Sequence, residues 1–192
     1  MSVSIFAFAE EVALSATNIF SQRSSEKRYR VVIPAGTPRY ALTSLISRAK
    51  LQGEKISTLH LIAHGSPGKL FLSGVTHKAN VVDTGALSWF GALKIHFEKT
   101  FPRIIVHSCQ IASDAGHDPV SGVGVYHRNQ TGIGYNFLLT LAQATNTIVE
   151  AGIHEQYNDA RCQLEGARIT VGPNGAVMGA EFQDAPFGER LE

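Results

Sequence analysis

The chain has 192 residues, 44% of them apolar and 17% charged, with 17 basic against 16 acidic side chains for a net charge of +1. That length suits a single domain spanning 1–192, and the apolar share suffices for a core, which excludes disorder as the main state. The even charge balance leaves no footprint for nucleic acid or an anionic membrane surface, and no apolar run approaches the roughly 18 residues of a membrane span.

Residues 1–11 lack the basic region that opens a signal peptide and read as a first strand, over 3–8, where β-branched and aromatic residues alternate. Residues 10–20 suit a short helix. A second strand over 30–33 is stopped by Pro34. Leu42, Leu45, Ile46 and Ala49 then recur at i, i+3, i+4 and i+7, which predicts a helix over 40–51 closed by Gly53. A third strand over 57–63 is apolar almost throughout, as in a parallel sheet buried on both faces. A short extended piece covers 69–72, and 84–97 carries a helical period. A fourth strand runs over 103–108. Residues 113–131 are Gly-rich without a period and read as a long loop, mobile or lying over the cleft. A helix over 134–145, a fifth strand over 147–151 and a hairpin over 167–180 about Pro173-Asn174-Gly175 complete the chain. Strands alternating with helices predict an α/β domain with a mostly parallel sheet.

Function in such sheets sits beyond the carboxyl ends of the strands. The third strand ends at His64-Gly65 and the fourth at Ser108-Cys109. Roughly forty residues with one helix lie between them, the size of a right-handed crossover between parallel neighbours. Cys109 is then placed to act as a nucleophile and His64 as its base or proton donor, since a nearby imidazolium favours the thiolate. Gly65 has no side chain to block a carbonyl from its N–H, so the Gly65 and Cys109 amides are candidates for an oxyanion hole. The bland alternatives are a hydrogen-bonded structural His64 and a Cys109 that serves as a small buried hydrophobe. His107 reads as a packed strand histidine. His60 and His64, on one strand, would stand about 13 Å apart, too far for one metal. Cys109 and Cys162 are too few for a disulfide framework and are expected as thiols in a reducing compartment.

The order of apolar strand, His-Gly, apolar strand, small residue, Cys resembles the caspase-like cysteine peptidases, the clan of caspases, legumains, gingipains, clostripains and separases. Residues 59–72, LHLIAHGSPGKLFL, and 104–112, IIVHSCQIA, look closest to an uncharacterised caspase-like domain of very large bacterial surface and repeat proteins. The likeness runs from about residue 30 to 152. It implies a three-layer caspase-like α/β sandwich with a mostly parallel central sheet, here followed by a C-terminal β-hairpin. It implies a cysteine endopeptidase with a His64/Cys109 dyad, an oxyanion held by Gly65 and Cys109, a protein or peptide substrate, and no metal or cofactor. The location implied is the cytoplasm, or secretion within a larger bacterial protein without a signal peptide of its own. The substrate pocket would be lined by the segments after the fourth and fifth strands, with Asp114, Glu150 and His154 as the binding residues. The acidic balance of those two segments, from Asp114, Asp118, Glu150 and Glu155, favours Arg or Lys before the scissile bond. The alternatives are a catalytically silent caspase-like module that binds a partner and, with less support, a metal-dependent hydrolase using His64, His107 and Cys109.

Overall fold

The computed structural model describes residues 2–13, 27–35, 41–49, 51, 53–72, 81–113, 115–117, 124–125, 132–153 and 167–181. Strand β1 (Ser2–Ala9) is buried from Val3 to Ala9 on both faces, which explains its unbroken run of apolar and small side chains. The four-residue α1 (Glu10–Ala13) follows; the expected continuation to residue 20 lies outside the described residues. Strand β2 (Lys27–Ile33) starts earlier than its apolar end suggests. Helix α2 (Ala41–Arg48) buries Leu42 and Ile46 on one face. It stops well short of Gly53, whose φ of +84° serves the turn into β3 instead of capping the helix.

Strand β3 (Lys55–Ile62) is followed by three short strands, β4 (His64–Ser66), β5 (Lys69–Phe71) and β6 (Val81–Val82), which form a small antiparallel sheet. Residues 84–97 were expected as an α-helix, but Thr84–His96 is a 3-10 helix. The reason lies in the spacing: the buried residues are Leu87, Phe90 and Leu93, and steps of three share a face at three residues per turn. Asp83 caps this segment, its Oδ1 accepting from Ala86 N–H at 3.1 Å. Next come β7 (Arg103–His107), then β8 (Ala115–His117) and β9 (Gly124–Val125), an antiparallel pair inside the stretch expected to be plain loop. Helix α3 (Ile133–Thr145) ends on Asn146 in the left-handed conformation. Strands β10 (Ile148–Gly152), β11 (Arg168–Val171) and β12 (Val177–Glu181) close the described chain. The last two form the expected hairpin.

The main sheet has seven strands in the order β12-β11-β10-β7-β3-β1-β2. The five strands from β10 to β2 are parallel, and β11 and β12 add an antiparallel edge. The fold is therefore mixed α/β with a mostly parallel sheet. Its core is a single cluster that joins sheet residues such as Ile5, Leu59, Leu61, Ile104, Val106 and Val149 to Ile46, Leu87, Phe90, Phe137 and Leu141 of the helices. Across the sheet, Phe6, His60, Ile105, Glu150 and Thr170 are successive partners in register and so share the other face. Among the described residues no helix is long and apolar enough to cross a membrane.

Candidate active site

β3 and β7 are neighbours and parallel, as the crossover length requires, pairing Leu59 with Ile104, His60 with Ile105 and Ile62 with His107. One rung further, Ala63 N–H donates to His107 O at 3.2 Å. Beyond that rung both chains leave the sheet: β4 begins at His64, and Ser108-Cys109 follow β7. The two motifs therefore stand at the same edge of adjacent strands, at the carboxyl ends. Cys109 is a half-buried thiol outside any disulfide, and His64 is exposed.

The backbone after Cys109 turns sharply. Gln110 is buried and left-handed at φ 53°, a conformation that non-glycine residues adopt rarely and mostly where the surroundings impose it. Ser113 N–H donates to Gln110 O at 2.8 Å and closes the turn. Two further bonds fasten it. Ala112 N–H donates to Gly152 O at the end of β10 at 3.2 Å, and Gly68 N–H donates to Ile111 O at 3.1 Å. The second bond ties the thiol turn to the β4–β5 hairpin that carries His64.

That hairpin turns at Pro67-Gly68, with Ser66 paired to Lys69, Gly65 to Leu70 and His64 to Phe71. Hydrogen-bonded and non-hydrogen-bonded pairs alternate along an antiparallel ladder, and a two-residue turn is flanked by a bonded pair. Gly65 consequently falls on the non-bonded rung, with its N–H directed away from β5. A Cβ at Gly65 would overlap Ser108 Oγ and lie 2.8 Å from Lys69 O. Glycine at 65 is thus a condition of bringing the two motifs together. Ser108 itself is buried, and its hydroxyl has no hydrogen-bond partner among the described residues.

His107 projects from the same face of the sheet as His60. Its Nε2 lies 3.0 Å from His60 Nδ1, and the His60 ring stacks on Phe6 with centroids 4.1 Å apart. Burial first, and the neighbouring His60 second, push the His107 imidazole down to about 3. It is neutral near pH 7 and acts as packing and a hydrogen-bond partner.

Of the expected substrate-binding residues, Asp114 and His154 lie outside the described residues. Glu150 is in the middle of β10, where its Oε1 is 3.3 Å from Arg168 and its Oε2 3.8 Å from Arg103. Both arginines sit on adjoining strands, β7 and β11, so the carboxylate is already engaged in the sheet. Among the described residues no three His, Cys, Asp or Glu side chains gather as metal ligands.

Sequence reasoning named Ser108 as the small residue before the cysteine but missed its contact with Gly65, and it missed Gln110 altogether. A small polar residue and an amide flanking the cysteine carry no periodic signal, and the Gly65–Ser108 contact joins segments far apart in the chain. No family model, curated protein or solved structure matches this chain. What the fold and the site define is the class: a mixed α/β domain with a histidine and a cysteine at the carboxyl edge of two parallel strands.

Proposed function

We propose that the chain is a caspase-like cysteine endopeptidase. One observation carries the reading: His64-Gly65 and Cys109 leave adjacent parallel strands at the same edge, tied by the Gly68–Ile111 hydrogen bond. The Cys109 thiol gives its proton to His64, and the thiolate attacks the scissile carbonyl carbon. The carbonyl oxygen becomes an oxyanion that accepts from Gly65 N–H and Cys109 N–H. Collapse breaks the C–N bond, the leaving amine takes the proton from His64, and a thioester remains on Cys109. His64 then takes a proton from water, which attacks the thioester and releases the acid and the thiol. A basic residue before the scissile bond is the first preference to try. Asp114 and His154 are its candidate contacts, because the Glu150 charge is shared with two arginines.

The test combines cleavage and alkylation. Wild-type protein is expected to cleave fluorogenic peptides ending in Arg or Lys, and Cys109→Ala to abolish that cleavage. Iodoacetamide is expected to alkylate Cys109 well below pH 8, with His64→Ala removing that reactivity while the fold is retained. Absence of cleavage together with alkylation of Cys109 no faster than that of an ordinary thiol across pH 6 to 9 would reject the peptidase. The second reading, a silent caspase-like binding module, draws on the exposure of His64, and that pair of results selects it.

A further inference from the structure

Residues 94–103 run across the amino-terminal end of the sheet, the end opposite Cys109. They are fastened from behind. Phe97 bridges to Ile56, Glu98 N–H donates to Ile56 O at 3.0 Å, and Ile148 N–H donates to Pro102 O at 2.9 Å. Lys55 Nζ donates to Ile95 O at 2.7 Å. Between these anchors two large apolar side chains stand in water: Ile95 is 72% and Phe101 73% exposed.

Phe101 is also left-handed, at φ 52°. A bulky residue is strained there, and a glycine would follow the same path from Thr100 to Pro102 without strain. Strain and exposure both work against folding, and the chain meets both to hold one aromatic ring outward. Single exposed apolar residues need no explanation. A strained aromatic with a second exposed aliphatic on one fastened strip does.

The charges on the strip are mostly basic. Lys94, Lys99 and Lys55 are exposed, Glu98, half-buried, is the only acidic residue within 94–103, and Arg103 at its end is turned to Glu150. We propose that this strip is a docking surface for an acidic protein segment bearing large apolar side chains. The lysines would meet its carboxylates, and Ile95 and Phe101 would meet its apolar groups. Two apolar side chains on a rigid strip make a poor membrane insert, which favours a peptide. The surface is independent of the thiol site, and its test does not involve cleavage.

The probe is a short fluorescein-labelled peptide of alternating glutamate and leucine, followed by fluorescence anisotropy on the full chain. Binding is expected, weakening at least tenfold from about 50 to about 500 mM sodium chloride. Lys94→Glu with Lys99→Glu, and separately Ile95→Ser with Phe101→Gly, are each expected to weaken it at least tenfold. Phe101→Gly alone is expected to leave the melting temperature within about 2 °C of wild type, so that loss of binding is not loss of fold. No binding, or binding that these substitutions leave unchanged, overturns the proposal. Binding to vesicles rich in phosphatidylserine without binding to the peptide overturns it as well, in favour of a membrane.

Discussion

The Ser108 hydroxyl is buried against Gly65 with no hydrogen-bond partner among the described residues. An unpaired buried hydroxyl costs about 1–3 kcal/mol in desolvation, and alanine at this position would keep the fit against Gly65 while shedding that cost. Ser108→Ala is therefore expected to stabilise the domain by about 1 kcal/mol, read as a higher urea midpoint with an unchanged slope. A destabilised variant would mean that the hydroxyl is bonded in solution. His107 makes a prediction about acid. In the folded chain it protonates near 3, against 6.5 for the unperturbed side chain. Between those values the unfolded chain holds a proton that the folded chain refuses, so folded stability is complete above about 6.5 and falls as the pH drops towards 3. The slope contributed by one such group approaches about 1.4 kcal/mol per pH unit. His107→Gln should flatten the loss of stability between pH 6.5 and 4, whatever it does to stability at pH 7. Denaturant unfolding of both proteins across that range is the measurement.

At the scale of elements, the β4–β5 hairpin is the part whose placement matters most, because it carries His64 and Gly65 and touches the thiol turn through one backbone hydrogen bond. Gly68, at φ +64°, supplies that bond, and a Cβ there would overlap Ile133 at the start of α3. Gly68→Ala is expected to cost about 1–3 kcal/mol, from left-handed strain and from overpacking. It should also speed amide hydrogen exchange in 64–71 more than in β3 or β7. Equal acceleration everywhere would show that the hairpin is not a separate unit. Much of this framework is legible in the sequence and some is not, for physical reasons. The central strands are legible because 59–63, His60 apart, and 104–106 are apolar, and the last hairpin because Pro-Asn-Gly is turn chemistry. β4 and β6, with three and two residues, are too short for any alternation to emerge. Thr84–His96 looks helical because spacings of three and four both suit a helix, and only packing reveals that Leu87, Phe90 and Leu93 alone are buried. Within the site, the edge shared by His64 and Cys109 follows from the crossover rule. The arginines on Glu150 belong to β7 and β11, and no local pattern joins them to it.

On the scale of the whole molecule, the parallel pairs β1–β3, β3–β7 and β7–β10 all join segments separated by long stretches of chain. Non-local pairing of this kind makes folding slow, on the order of milliseconds to seconds. It also gives the molecule an order in which to come apart. β7 is the middle strand of seven, with three strands on either side, while β2 and β12 lie at the rims. Fraying begins where few neighbours hold the chain, and the last amides to open are those in the middle. Cys109 hangs from the end of that middle strand. On slow heating, the rim amides of β2 and β12 should exchange first while the alkylation rate of Cys109 stays at its native value. The rate should then shift to that of an ordinary thiol only at the global melting transition. A change well below that temperature would show that the Cys109 turn opens on its own. With no such early change, the thiol reports the last event in the molecule's disassembly, with the periphery already loose around a site that still holds its shape.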